Sequence, residues 1–152
     1  MRHATPADAA TVAALNAHVQ GWHAAHYPEA FFPAPDPAAL TAHFAARLAE
    51  PGVTCFLAGD PALGYALCSR QERPLSVFSP PVRRLMVDHI AVAPAARRQG
   101  LGRALLAAAR ALAREIGADE ILLDTWAANT EAHAFFRAEG FAPRRMLFHA
   151  LP

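Results

Sequence analysis

The sequence predicts a mixed α/β (α+β) fold in which a mostly antiparallel central sheet is flanked by helices, in the order β-α-α-β-β-β-α-β-α-β. Three features predict it. Two helical segments follow one short strand, strand-like runs separated by turn residues fill the middle, and strand and helix alternate towards the end. Short turns join antiparallel neighbours, whereas a helix between two strands lets them run parallel, so the sheet is mixed. With 152 residues and 54% hydrophobic content one core is attainable, and residues 1–152 are expected to form a single domain.

Arg2-His3-Ala4 reads as the opening strand. Thr5-Pro6-Ala7-Asp8 is a helix start, with Thr5 suited to the N-cap, Pro6 to the first turn and Asp8 to the positive end of the dipole; the helix is expected to reach about His23. Four prolines between Tyr27 and Pro37 break it and leave a stiff loop bearing Phe31 and Phe32. A second helix spans 38–50, and runs 54–58 and 62–70 form a hairpin across Gly59-Asp60-Pro61. Residues 84–93 are a mostly apolar strand stopped by Pro94. Gly100 to Ile116 is a helix with Leu101, Leu105, Ala108, Leu112 and Ile116 on one face. A strand over 120–126, a helix over 130–139 closed by Gly140, and a last strand over 144–149 complete the order. Trp22, Trp126, Phe135 and Phe148 are expected in the core.

Thirty-eight residues are Ala, Lys is absent, and the 14 basic residues are all Arg, nearly balanced by 13 acidic ones for a net charge of +1. That balance argues against a nucleic-acid-binding face and an acidic tail. No apolar stretch approaches the roughly 18 residues of a membrane span, and the opening residues lack the apolar run of a signal peptide, so a cytoplasmic location is expected. Cys55 and Cys68 lie in separate apolar runs, which points to buried, reduced thiols rather than a disulfide.

The most informative run is Val92-Ala93-Pro94-Ala95-Ala96-Arg97-Arg98-Gln99-Gly100-Leu101-Gly102-Arg103, between a strand and a long amphipathic helix. The first N–H groups of a helix lack internal partners and stand at the positive end of its dipole, and glycine lets a phosphate approach the backbone. The segment therefore suits a pyrophosphate. Spacing removes two nucleotide motifs: the triphosphate loop needs a lysine, and the dinucleotide fingerprint needs Gly or Ala where Leu105 stands. Arg97-x-x-Gly100-x-Gly102 resembles instead the Arg/Gln-x-x-Gly-x-Gly/Ala signature of the GNAT (Gcn5-related) N-acetyltransferases. Asn129-x-x-Ala132-x-x-x-Phe136-x-x-x-Gly140-Phe141 resembles their second motif, and the opening residues and element order extend the resemblance over nearly the whole chain.

The resemblance implies transfer of an acetyl group from acetyl-CoA, as co-substrate, to a primary amine of a small molecule or peptide. Its alternative is a non-catalytic acyl-CoA-binding or regulatory protein of the same fold. It implies a pantetheine arm along Ile90, Ala91 and Val92. The pyrophosphate would lie among the amides of Arg97, Arg98, Gln99, Gly100, Leu101, Gly102 and Arg103. Asn129 would bind pantetheine, serve as a helix N-cap, or do both. Phe136 occupies a cofactor position where the family commonly carries Tyr, so the usual proton donor to the departing sulfur is missing.

An amine with a pKa near 10.4 is almost wholly protonated at neutral pH, so a base is useful. Strand alternation puts Asp88 on the side of Ile90 and Val92 and His89 on the other, making Asp88 the first choice, directly or through water. The other reading of Asp88 is a carboxylate that binds a cationic substrate or pairs with an Arg, and that of His89 is a packing residue. The strand N–H around Val92 is where the family supplies an oxyanion donor. His23, His26, Tyr27 and Phe31 lie where the family shapes its acceptor pocket. His23 and His26 have helical spacing for a metal, but no third ligand of clear spacing joins them, so none is expected. The expected partner is a small-molecule or peptide amine, with a homodimer left open and neither nucleic acid nor membrane expected.

Overall fold

In the computed structural model, which describes residues 1–150, five strands form one sheet in the order β1-β2-β3-β4-β5. β1 (Arg2–His3), β2 (Val53–Ala58), β3 (Gly64–Arg73) and β4 (Val82–Val92) are successively antiparallel. β5 (Glu120–Leu123) runs parallel to β4, and the crossover that a parallel pair requires is made by α3 (Leu101–Glu115). α1 (Ala9–His26) and α2 (Pro37–Ala49) precede β2, and α4 (Thr130–Ala138) follows β5.

Alternation along the strands sends apolar side chains to both faces, and each face has its own core. Val12, Leu15 and Phe44 from α1 and α2 close on Cys55, Leu57, Tyr65, Leu67 and Ala91. On the other face Leu105, Ala109 and Ala113 of α3 close on Phe56, Ala66, Cys68, Leu85 and Val87. The buried stripe of α3 thus centres on Leu105, Leu106, Ala109 and Ala113, with Leu101, Ala108, Leu112 and Ile116 at its margins.

The caps explain where the helices begin. A short 3-10 turn over Pro6–Asp8 leads into α1, and the Asp8 carboxylate accepts the Thr5 N–H at 2.8 Å. The Arg2 guanidinium and this N–H hold the Asp8 carboxyl far below the usual carboxylate range. α2 starts at Pro37 behind Asp36, whose side chain accepts the Ala39 N–H at 2.7 Å. Cys55 and Cys68 are free and buried in opposite cores, where burial pushes both thiols up to about 12. Among the described residues no helix is long and apolar enough to cross a membrane.

Two expectations are corrected at the end of the chain. β5 stops at Leu123 rather than Trp126, and no strand forms over 144–149, so the order ends on α4. After α4 the chain passes β5 towards its first residue, where Arg144 ion-pairs with Glu120. Residues 145–150 form no ladder and are exposed. For the same reason Trp126 and Phe148, expected in the core, are exposed.

Candidate active site

β4 and β5 pair only from Arg84↔Glu120 to Val87↔Leu123. β4 continues for five more residues, Asp88, His89, Ile90, Ala91 and Val92, with β3 on one side and no strand on the other. The backbone groups on that open edge are left for a ligand or water. The strands therefore part like a V.

The chain leaves β4 at Val92, turns through Pro94–Ala96 and enters α3 from Gly100. Arg98 and Gly100 both take left-handed backbone angles, φ 62° and 82°. Such a conformation favours glycine, and a Cβ at 100 would meet nothing within 4 Å. The first hydrogen bond of α3 runs from Ala104 N–H to the Gly100 carbonyl at 3.0 Å, so the amides of Leu101, Gly102 and Arg103 have no partner within the helix. Gly102 has a different duty. A Cβ there would lie 3.1 Å from the Phe135 ring, so this glycine admits α4 against α3. Arg97 and Arg103 make exposed pairs with Glu131 (3.8 Å) and Glu139 (2.9 Å), which cost little to open, and the Gln99 side chain donates to the Ala95 carbonyl.

The alternation that separated Asp88 from His89 does not survive. Leu67 pairs with His89 and Cys68 with Val87, so Asp88 is the extra residue of a β-bulge. Below it Leu85 and Val87 face α3; beyond it Ile90 and Val92 do so, while Ala91 joins the opposite core. Asp88 and His89 both turn towards α2. Asp88 Oδ2 accepts from Arg47 Nη2 at 3.1 Å, the Arg pairing that the sequence left open. His89 stands against Phe44, and its Nδ1 lies 3.4 Å from Tyr65 Oη. The buried Asn16 amide donates to the same oxygen at 2.9 Å, which leaves the Tyr65 hydroxyl proton for Nδ1 and the His89 proton on Nε2. Burial lowers the His89 pKa against the opposing effect of Asp88, so the imidazole is neutral at pH 7.

Aromatic rings form the facing wall. Tyr27 and Phe31 lie 4.3 and 5.1 Å from Trp126, and His23 stacks on Phe31 at 4.7 Å. Burial lowers the His23 pKa, with Asp124 opposing. Tyr27 Oη accepts the Ala128 N–H at 3.0 Å, tying the proline-rich loop to the segment before α4. Asn129 caps α4, its Oδ1 accepting the Ala132 N–H at 3.0 Å. His26 is not part of this wall: it stacks on Trp22 at 4.0 Å and bonds to the Trp22 carbonyl. Phe136 is buried between Phe135 and Phe141. Among the described residues no three His, Cys, Asp or Glu side chains gather as a metal-binding group.

The pattern of the Acetyltransferase (GNAT) family matches residues 17–141. The chain belongs to the GNAT acetyltransferase family. The fold is shared with a tetramutant of BH1408 from Bacillus halodurans, at a TM-score of 0.90 and 22% identity over 99% of this chain and 97% of that one. A candidate acetyltransferase from Arthrobacter sp. FB24 is 33% identical over 99% of this chain and 94% of that one, with a TM-score of 0.71. The aminoglycoside N-acetyltransferase AAC(6')-Iy, in complex with CoA, overlays with a TM-score of 0.69 at 22% identity, over 99% of this chain and 92% of that one. No curated protein matches the chain.

Within this GNAT chain the structure brings Asp88 and His89 to the α2 side of the β4 edge and gathers His23, Tyr27 and Phe31 around Trp126. Sequence reasoning missed Arg47, the Asn16–Tyr65 pair and Trp126. Asn16 on an apolar helix face was the one available signal, since a buried amide needs a partner.

Proposed function

We propose that this GNAT protein transfers an acetyl group from acetyl-CoA to a primary amine of a small molecule or peptide. The observation that carries the reading is the open β4 edge leading directly into the unpartnered amides at the start of α3. A strand edge followed by a helix end suits a long amide-bearing ligand that ends in phosphates. The CoA complex of AAC(6')-Iy supports that ligand class. The vacant space at Gly100 fits a phosphate close to the backbone.

Acetyl-CoA supplies the activated acyl thioester. The backbone of Ile90, Ala91 and Val92 would pair with pantetheine, and the amides from Arg97 to Arg103 would surround the pyrophosphate, with the side chains of Arg97, Arg98 and Arg103 screening its charge. Asn129 uses only Oδ1 as a cap, so its Nδ2 remains for the pantetheine. Asp88 is the proposed proton acceptor. Arg47 occupies Oδ2 and leaves Oδ1 for the incoming amine, directly or through water. His89, held neutral with its proton on Nε2, positions the acceptor, and the Val92 N–H is the oxyanion donor. His23, Tyr27, Phe31 and Trp126 shape the acceptor's path, and Asp124 beside them favours a cationic group. Phe136 gives no proton, but a thiol of pKa near 8.5 is a competent leaving group, and the Tyr27 hydroxyl keeps its own proton to offer. The buried free thiols fit a reducing, cytoplasmic setting.

Thiol release from acetyl-CoA with a panel of primary amines, beside calorimetry of acetyl-CoA alone, tests this. Amine-dependent release is expected. Binding without release would instead support the non-catalytic acyl-CoA-binding reading, which the missing hydroxyl at Phe136 favours. Absence of both would end the proposal.

A further inference from the structure

We propose that Asn16 and Tyr65 are positioning residues that lock the His89 proton on Nε2, and that the protein therefore selects acceptor amines carrying an oxygen beside the amine. The inference rests on the acceptor-positioning role proposed for His89.

The core between the sheet and helices α1 and α2 is apolar except for one polar chain that runs through it. Asn16 on α1 is 8% exposed, and Tyr65 on β3 is fully buried. Leu and Phe would fill the same space without polar atoms to satisfy, so packing alone does not account for the pair. Its direction is set from inside. The Asn16 amide donates to Tyr65 Oη at 2.9 Å, and the one other side-chain partner of that oxygen among the described residues is His89 Nδ1, at 3.4 Å. The hydroxyl proton therefore belongs to Nδ1, and the chain ends at His89.

That ending decides what His89 can do. Burial keeps the imidazole uncharged; Asp88 opposes this, while His43, Arg47 and His23 around it act in the same direction. A neutral ring has one lone pair on nitrogen, and here it is spent on Tyr65. Among the described residues Arg73 Nε is the one side-chain nitrogen or oxygen buried without a partner, so His89 Nε2, which also has none, reaches solvent. Nε2–H can give a hydrogen bond but cannot take a proton, which leaves proton acceptance to Asp88. The acceptor's nitrogen needs its own lone pair for the thioester carbon. The His89 bond must then go to another atom of the acceptor, and a hydroxyl, carbonyl or carboxylate oxygen accepts it. Arg47, held on Asp88 and able only to donate, suits the same chemistry. A plain alkylamine would leave the donor unpaired in a filled site, a loss that a site built for an oxygen registers as discrimination.

Nitrogen NMR of the histidine rings at pH 7, with His89 assigned by its loss in His89→Gln, tests the lock. A single Nε2–H form is expected in the wild type, and a mixture of the two tautomers in Tyr65→Phe. Asn16→Leu combined with Tyr65→Phe removes both polar partners, so its stability should return towards the wild type while the tautomer stays mixed. Turnover of 2-aminoethanol and glycinamide against propylamine tests the selection. The ratio of kcat/KM values is compared between proteins so that the basicities of the amines cancel, and it should fall at least about tenfold in the double variant. Acetyl-CoA affinity should change less than about twofold. A wild type with the proton on Nδ1 overturns the proposal, as does a double variant with an unchanged tautomer or an unchanged ratio. A locked tautomer in a protein that turns over no amine would uphold the lock and remove the transfer reading with the selection built on it.

Discussion

Asp88 and His89 owe their setting to one inserted residue. Without the bulge they would face opposite sides of the sheet; with it both turn to α2, where Arg47 holds one and Tyr65 the other. The identity of these residues was legible in the sequence, but their direction was not, because a bulge depends on which residues of β3 lie opposite. Asp88→Asn is expected to lower kcat at least about 100-fold while changing acetyl-CoA affinity less than about twofold. His89→Gln should act mainly through the acceptor's KM and lower kcat less than about tenfold. Steady-state kinetics with calorimetry decide between them, and a larger kcat loss at His89 would exchange the two roles. His89 also marks the pH dependence of stability. Its folded pKa is lowered by burial, so its contribution is complete above about pH 6.5, the value of a free imidazole. It is lost as pH falls from there through the folded value, because the unfolded chain takes the proton first. Denaturant unfolding should therefore show a shallower acid slope in His89→Gln.

Helix starts were the most readable elements. Asn129-Thr130 places a side-chain acceptor before the first turn and caps α4 as expected, whereas Asp36, which caps α2, went unread beside a proline counted with the loop. Element ends were harder to place. Residues 120–126 have strand-like composition throughout, yet pairing ends at Leu123, opposite Val87 and immediately before the bulge at Asp88, which no residue of 120–126 foretells. Residues 144–149 read as a strand by themselves but find no ladder. Gly102 teaches a similar lesson. Its place in the Arg97-x-x-Gly100-x-Gly102 pattern suggests space for a phosphate, yet its missing side chain makes room for Phe135. Gly102→Trp should therefore force α4 away from α3 and cost about 1–3 kcal/mol of stability, besides weakening acetyl-CoA binding. Thermal unfolding reads the first effect and calorimetry the second. An unchanged melting temperature would return Gly102 to a phosphate-only role.

Across the whole molecule, layers and strand order were legible because the apolar pattern of each segment has to be buried somewhere, and few arrangements bury all of them. The contacts that join distant segments were not. The bond from the Ala128 N–H to Tyr27 Oη spans 101 positions and has no mark in either segment. It acts as a strut between two walls. On one side stands the aromatic cluster proposed for the acceptor; on the other, one residue beyond Ala128, is Asn129, proposed for the pantetheine. Filling either compartment stiffens the shared strut, so the second ligand meets a wall whose ordering has already been met. Thermodynamic reciprocity then requires acetyl-CoA to tighten acceptor binding by the same factor as the acceptor tightens acetyl-CoA, on the order of fivefold or more. Tyr27→Phe, which deletes the strut and keeps the ring, should bring that factor close to one when acetyl-CoA is titrated with and without saturating acceptor. An unchanged factor would mean that the two ligands communicate by another route, and that an enzyme of this shape takes up its substrates without regard to the 27–128 bridge.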